Sequence, residues 1–287
     1  MKKLFSLLPF FILLLFAGGS SSCGNDKDGN TVYDTLHDTI TGVEISDSVK
    51  YRFKKLVSAM PVPFDILRQF SGAHLPFKGE LLNTPESAPS YNSNDMQSLN
   101  LGIYGADLAY MISQDKLGDA APYLKAVRRL SDEVVVPSAF DATILGRFDS
   151  NRDKKDSLQG LVRTSYKRID STLQGNDRLA LATLVLAGGW IESIYLTTQH
   201  IGGEQQNEQN KVLFDMLAVQ RPYLDNLIEL SGSFRNDSLC KNIHSDFEQL
   251  KKLFPKGPDT PSKEFAEQLQ KLSENVAVIR NRYILTR

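Results

Sequence analysis

The chain has 287 residues, of which 41% are hydrophobic and 23% are charged, and its formal net charge is -1. This is the composition of an ordinary globular protein with room for one large core or two smaller ones. The near-neutral charge excludes the basic surface of a nucleic-acid-binding protein, so no nucleic-acid partner is predicted. Two cysteines cannot form a disulfide scaffold, and no cysteine–histidine motif has zinc spacing, so neither a metal nor a cofactor is predicted.

The first 22 residues have the organisation of a bacterial export signal. Lys2 and Lys3 form a positive segment, and the apolar run Leu4–Ala17 follows it. This run is too short to span a bilayer comfortably, because a spanning helix needs about 20 apolar residues. Small residues come next, and then Cys23. We therefore predict a lipoprotein signal peptide over residues 1–22 and diacylation of the Cys23 thiol, which anchors the chain in a membrane.

The residues before Cys23 depart from the usual lipoprotein pattern at one place. Ser20 stands three residues before the cysteine, where that pattern has an aliphatic residue. The alternative is an ordinary cleaved signal, with Cys23 left free or paired to Cys240. Lipidation is the better explanation, because a lone cysteine at the end of a leader has little other use in an oxidising compartment.

The residues after the cysteine predict where the anchor resides. Gly24 rather than aspartate argues against retention in the inner membrane, and Asp26 and Asp28 resemble the surface-export signal of Bacteroidota lipoproteins. We expect an outer-membrane lipoprotein, either on the periplasmic face or at the cell surface. Residues 23–45 are predicted to form a flexible tether, which as a coil of about 20 residues would span roughly 25 Å.

Apolar residues recur at helical spacing almost throughout the chain beyond the tether. Long helices joined by short connections predict an all-α fold, as a helical bundle or a short array of antiparallel helical hairpins with a central buried helix, over residues 46–287 as a single domain. The irregular stretch 71–94 is the exception, and it is expected to be functional or disordered. The predicted helices include Asp47–Met60, Asn94–Gln114, Asp177–His200, Gln205–Leu230 with a kink at Pro222, and Ser262–Leu285 docked on the bundle.

Two of these helices are unusual in composition. Asp177–His200 is apolar almost all round, which is typical of a membrane span or of the central helix of a soluble bundle. Glu192 near its end favours the buried helix. Glycines inside a helix cost about 1 kcal/mol each relative to alanine, and close helix packing is the simplest compensation. We therefore predict that Asn94–Gln114 crosses Asp177–His200 at Gly102, Gly105, Gly188 and Gly189.

This crossing would bring Asp107 and Glu192 into apolar surroundings, where a carboxyl group must be hydrogen-bonded, paired or protonated. The sequence leaves three alternatives open. Each acid is bonded to a Tyr, Asn or Arg side chain or to a helix N-terminus and fixes the register of the bundle. The two acids line a ligand pocket between helices. Or they divide the acid and base roles of a catalyst. The candidate binding residues are Asp107, Glu192, Trp190, Tyr104, Tyr110 and Tyr195.

The pair of segments NLGIYGADLAY and AGGWIESIYL, behind a lipoprotein leader, resembles a family of helical lipoproteins from Bacteroidota without assigned activity. The resemblance covers roughly Asp47 to Phe254. It implies the fold and the membrane address, and it implies no catalytic residues.

Together these patterns predict an outer-membrane-anchored lipoprotein whose helical domain is a non-enzymatic binding or scaffolding module. Its partner would be an envelope protein, a glycan or a small ligand. The alternative is an envelope hydrolase that uses Asp107 and Glu192 as a carboxylate pair.

Overall fold

A computed structural model of the chain describes residues 45–284, with the exception of positions 62, 73–74, 135–141, 152 and 255–262. These ranges contain eleven α-helices and four short 3₁₀ helices, and no strand occurs in them. The all-α fold predicted from the sequence is therefore confirmed. The predicted signal peptide, Cys23 and the predicted tether up to residue 44 lie outside the described residues.

The helices follow one another closely along the chain. They are α1 (Asp47–Ser58), α2 (Pro63–Leu67), α3 (Asn94–Ser113), α4 (Ala121–Glu133), α5 (Ala142–Ser150), α6 (Lys155–Gly175), α7 (Leu179–Ile201), α8 (Lys211–Ala218), α9 (Arg221–Ser233), α10 (Ser238–Leu253) and α11 (Lys263–Ile284).

Helix α7 is the centre of the bundle. It is long and apolar enough to cross a membrane, but 83% of its apolar window is buried inside the protein. Helices α3, α6, α8, α9, α10 and α11 all pack against it. An apolar helix that is covered on every side needs no polar face, which explains why its sequence shows no amphipathic pattern. The central buried helix is confirmed.

Helix α3 begins where a side chain satisfies the first free backbone N–H groups. The hydroxyl of Ser93 accepts a hydrogen bond of 3.2 Å from the backbone N–H of Met96. Ser93 is therefore the N-cap residue, and the helix begins at Asn94 as predicted. From there α3 runs for 20 residues, and all but the first three are buried.

The predicted long helix Gln205–Leu230 is wrong. Its first residues are not helical, and the remainder is divided into α8 and α9. Pro222 lies in the first turn of α9, where its missing N–H has no intrahelical partner to lose. A proline in this place opens a new helix instead of kinking an existing one, and the break lets α8 and α9 pack on α7 separately.

Helix α11 docks on the bundle, as its apolar stripe predicts. It packs on α7 and α10. A second contact holds its end, because Asp246 of α10 accepts hydrogen bonds from Arg282 at 2.8 and 2.9 Å and from the Tyr283 hydroxyl at 2.5 Å. The buried stripe consists of Leu269, Leu272, Val276, Ile279 and Tyr283.

Candidate functional site

The predicted crossing of α3 and α7 is confirmed, and it is a contact of backbone against backbone. A Cβ atom added to Gly102 would lie 2.6 Å from the backbone nitrogen of Gly189 and would overlap the carbonyl oxygen of Val185. A Cβ atom added to Gly188 would lie 2.9 Å from the carbonyl carbon of Leu99. Neither distance is possible for a real side chain, so glycine is required at both positions for the two helices to approach this closely.

Gly105 serves a different neighbour, because the phenol ring of Tyr166 on α6 occupies the space beside it. A Cβ atom there would lie 2.7 Å from a ring carbon and would overlap the hydroxyl oxygen. The Tyr166 hydroxyl donates a 2.9 Å hydrogen bond to the carbonyl oxygen of Leu101. The glycine thus makes room for a tyrosine that joins α6 to α3.

Past the crossing, Glu192 on α7 forms a buried ion pair with Arg280 on α11. The guanidinium donates two hydrogen bonds to the carboxylate, from Nε to Oε2 at 2.6 Å and from the Nη2 nitrogen to Oε1 at 2.9 Å. The side chain of Glu192 is 0% exposed and that of Arg280 is 5% exposed. This bidentate geometry is the strongest form of Arg–carboxylate contact, and it satisfies both carboxylate oxygens.

Further contacts complete the surroundings of Arg280. Its Nη2 nitrogen also donates a 3.0 Å hydrogen bond to the carbonyl oxygen of Leu81. Its guanidinium lies over the ring of Tyr195, 4.3 Å from the ring centre, which is a cation–π contact. Burial by itself would lower the pKa of Arg280, but the charge and hydrogen bonds of Glu192 raise it above the ordinary value. The guanidinium is therefore firmly charged.

Asp107 of α3 lies beside this pair and is also completely buried. Its Oδ2 accepts a 3.1 Å hydrogen bond from the backbone N–H of Asn83, while its Oδ1 accepts none. Burial, and secondarily the charge of Glu192, raises the pKa of Asp107 well above the usual range. With one guanidinium for two carboxyl groups, a proton on Asp107 neutralises the cluster.

A segment without α-helix, residues 75–93, covers this cluster, and we call it the covering segment. It corresponds to most of the irregular stretch 71–94 and is held at several points by side chains of the core helices. Besides the contacts at Leu81 and Asn83, the Tyr104 hydroxyl donates a 2.6 Å hydrogen bond to the carbonyl oxygen of Thr84. Near its end the Tyr91 hydroxyl donates to the carbonyl oxygen of Ile284 at 3.1 Å. The covering segment therefore has a defined conformation and lies over the carboxylates.

The beginning of the covering segment is fixed by Tyr110 and His200. The backbone N–H of Lys78 donates a 3.0 Å hydrogen bond to the Tyr110 hydroxyl oxygen, which lies 2.8 Å from Nε2 of His200. Which of these two groups donates depends on the imidazole tautomer, while Nδ1 of His200 has no hydrogen-bond partner. Burial, with the nearby charge of Lys78, lowers the pKa of His200 to about 4.

The structure brings together five of the six candidate residues around the covering segment. Asp107, Glu192 and Tyr195 meet at Arg280, while Tyr104 and Tyr110 hold the covering segment in place. Trp190 lies elsewhere in the core. Its indole N–H donates a 3.2 Å hydrogen bond to Gln220, and its ring packs edge-on against Phe247 with ring centres 5.4 Å apart.

Three residues of this site were missed by the sequence interpretation. Arg280 had a detectable signature, because it lies four residues after Val276 and three before Tyr283, on the apolar stripe of α11. An arginine on an apolar stripe predicts a buried acidic partner. Asn83 had no detectable sequence signature, because it contributes only a backbone N–H to the cluster, which every residue except proline has. His200, at the end of the predicted helix Asp177–His200, is buried with one bonded ring nitrogen.

A cleft of about 50 Å³ lies between the end of α1, α6 and α7, and it is lined mainly by apolar side chains. Asp107 and Glu192 are not among its lining residues. Over the described part of the chain, no group of three or more His, Cys, Asp or Glu side chains could hold a metal ion. The cluster at Arg280 therefore provides internal charge pairing, and its carboxyl groups have no surface in contact with solvent.

Comparisons of this chain with protein-family models, with curated proteins and with solved structures found no match. The resemblance to Bacteroidota lipoproteins is therefore a prediction that rests on the quoted segments.

Proposed function

We propose that the protein is an outer-membrane-anchored lipoprotein whose helical domain is a non-enzymatic binding or scaffolding module of the cell envelope. The leader and Cys23 support the membrane address. The near-neutral composition supports a partner other than nucleic acid, such as an envelope protein, a glycan or a small ligand.

The observation that carries this proposal is the burial of the paired acids. Asp107 and Glu192 are both 0% exposed, and Glu192 is bonded through both oxygens to Arg280. A catalytic acid and base must touch the substrate or a water molecule beside it. Acids that are sealed beneath the covering segment and bonded to a buried cation instead hold three helices in register. The outer surface of the bundle is then the part available to a partner.

The hydrolase hypothesis gains no support from this arrangement and stays a prediction. It requires the covering segment to leave the carboxylates, which would break the contacts at Asn83, Leu81 and Thr84. It also requires Glu192 to exchange Arg280 for a substrate. A variant at Glu192 separates the two hypotheses, because one predicts loss of folding stability and the other predicts loss of turnover without unfolding.

The anchor is tested by labelling cells that produce the chain with a palmitate analogue. We expect the label on the wild-type chain and on Cys240→Ser, and its loss in Cys23→Ser, which should then appear in the soluble fraction. Cys240 is the matched control because it is the other cysteine and is buried in the fold. Labelling that persists in Cys23→Ser would overturn the lipoprotein proposal.

A further inference from the structure

Helix α1 exposes an aromatic residue and two cations on one face. Its buried residue is Phe53, on the side that packs toward α9. Tyr51, on another side, is 74% exposed. Lys54 and Lys55 follow Tyr51 by three and four residues, which places all three on the same face of the helix, and both lysines are exposed.

The two lysines differ from the other basic residues of α1. Lys50 pairs with Asp177 at 2.6 Å, and Arg52 pairs with Glu229 at 3.5 Å. Neither Lys54 nor Lys55 forms an ion pair in the described part of the chain. Asp47, four residues before Tyr51, is an exposed acid on the same face. Two lysines minus one aspartate leave this face a net charge of +1, which is available to an anionic partner.

This combination is specific to α1 among the exposed apolar sites of the described residues. The other large hydrophobic side chains with high exposure are Val219 and Val278. Neither has a lysine three or four positions away, and the arginine four residues after Val278 is bound to Asp246. A tyrosine flanked by lysines has an apolar body and cationic tips, the combination that suits a lipid–water interface.

We propose that Tyr51, Lys54 and Lys55 dock on the anionic phosphate headgroups of the membrane leaflet that holds the Cys23 anchor. The inference rests on the proposed lipid anchor. Helix α1 is the first helix after residues 23–44, so it is the element joined to the anchor by the shortest length of chain. An anchored chain raises the effective concentration of this face at the membrane, and weak headgroup contacts then become sufficient to orient the domain.

The test uses residues 23–287 with Cys23→Ser, so that neither the leader nor a lipid contributes to binding. Partitioning is measured on vesicles of phosphatidylglycerol mixed with phosphatidylcholine, and on vesicles of phosphatidylcholine alone. We expect binding to the anionic vesicles that weakens with added salt, because the contacts are between exposed charges. Since a lysine near an anionic surface contributes roughly fivefold, K54E/K55E should weaken partitioning about 25-fold or more.

The matched control is K125E/K241E, which changes the net charge equally on two exposed lysines of α4 and α10. It should bind anionic vesicles like the parent chain. Equal losses for both double variants, or equal partitioning of the parent chain on anionic and neutral vesicles at high lipid concentration, would overturn the inference. Palmitate labelling of Cys23 is read independently of this result. If Cys23 is labelled but the α1 face shows no preference for anionic vesicles, the anchor proposal stands and only the docking proposal is rejected.

Discussion

The crossing of α3 and α7 and the covering segment 75–93 are neighbours in the fold but are held by opposite means. At the crossing, the backbones of Gly102 and Gly188 contact the opposing helix directly, and no side chain lies between them. Over the covering segment, polar side chains reach from the core helices to backbone groups, as Tyr104 does to Thr84. The crossing depends on glycines, which have no side chain, whereas the covering segment depends on polar side chains that bind its backbone.

This difference shows two ways in which a single arrangement of buried elements is fixed. Packing of bare backbone fixes the helix pair sterically, because any added atom overlaps its neighbour. Backbone groups without regular secondary structure must find partners elsewhere, and the core supplies them from Asp107, Arg280 and the tyrosines. The acid cluster belongs to both regions, since its members extend from the crossing helices and also bind the covering segment.

The largest effect is expected for Glu192→Gln. The variant removes the carboxylate that binds the buried Arg280 through both oxygens, so the free energy of unfolding should fall by about 3 to 5 kcal/mol in urea denaturation. The matched control is Asp215→Asn, which breaks the exposed pair of Asp215 with Lys211 and should cost no more than about 0.5 kcal/mol. A Glu192→Gln protein that keeps wild-type stability would contradict the structural role of the acid and favour the hydrolase hypothesis.

Next in size is Gly102→Ala at the crossing. Its methyl group would overlap the carbonyl oxygen of Val185, and because that atom is backbone, α3 and α7 must separate. We expect a loss of about 3 kcal/mol in the free energy of unfolding. In the control Gly160→Ala, on α6, the added atom meets nothing within 4 Å, and the gain in helix propensity should stabilise the protein by about 1 kcal/mol. Equal behaviour of the two variants would show that the crossing tolerates side chains.

The smallest effect concerns His200, which holds the start of the covering segment. Its folded pKa of about 4 lies below the ordinary 6.5, so the folded state binds fewer protons than the unfolded state between these values. The free energy of unfolding should therefore fall as the pH decreases from about 6.5 to about 4, by roughly 2 kcal/mol relative to His200→Gln. Denaturation of both proteins across this pH range measures the difference. Parallel profiles would show that His200 does not respond to its burial.

The glycines and the acids were predictable because their pattern lies within single helices. A glycine inside an apolar helix has a steric meaning that can be read from a few neighbouring residues, as Gly102 and Gly188 show. A carboxyl group at Glu192 in such a helix must have a partner, but the identity of that partner is not local. Arg280 lies 88 residues away along the chain, and Asn83 lies 24 residues from Asp107.

The sequence by itself determined the all-helical class, the buried character of α7 and the place where α3 crosses it, because helical period and missing side chains act over one or two turns. Only the tertiary structure decided that Arg280 neutralises Glu192 and that residues 75–93 lie ordered over the acids. It also decided that Pro222 opens a helix. These outcomes depend on which polar groups meet once the helices have packed, and a buried charge or backbone group is satisfied only by what the completed fold brings within hydrogen-bond distance.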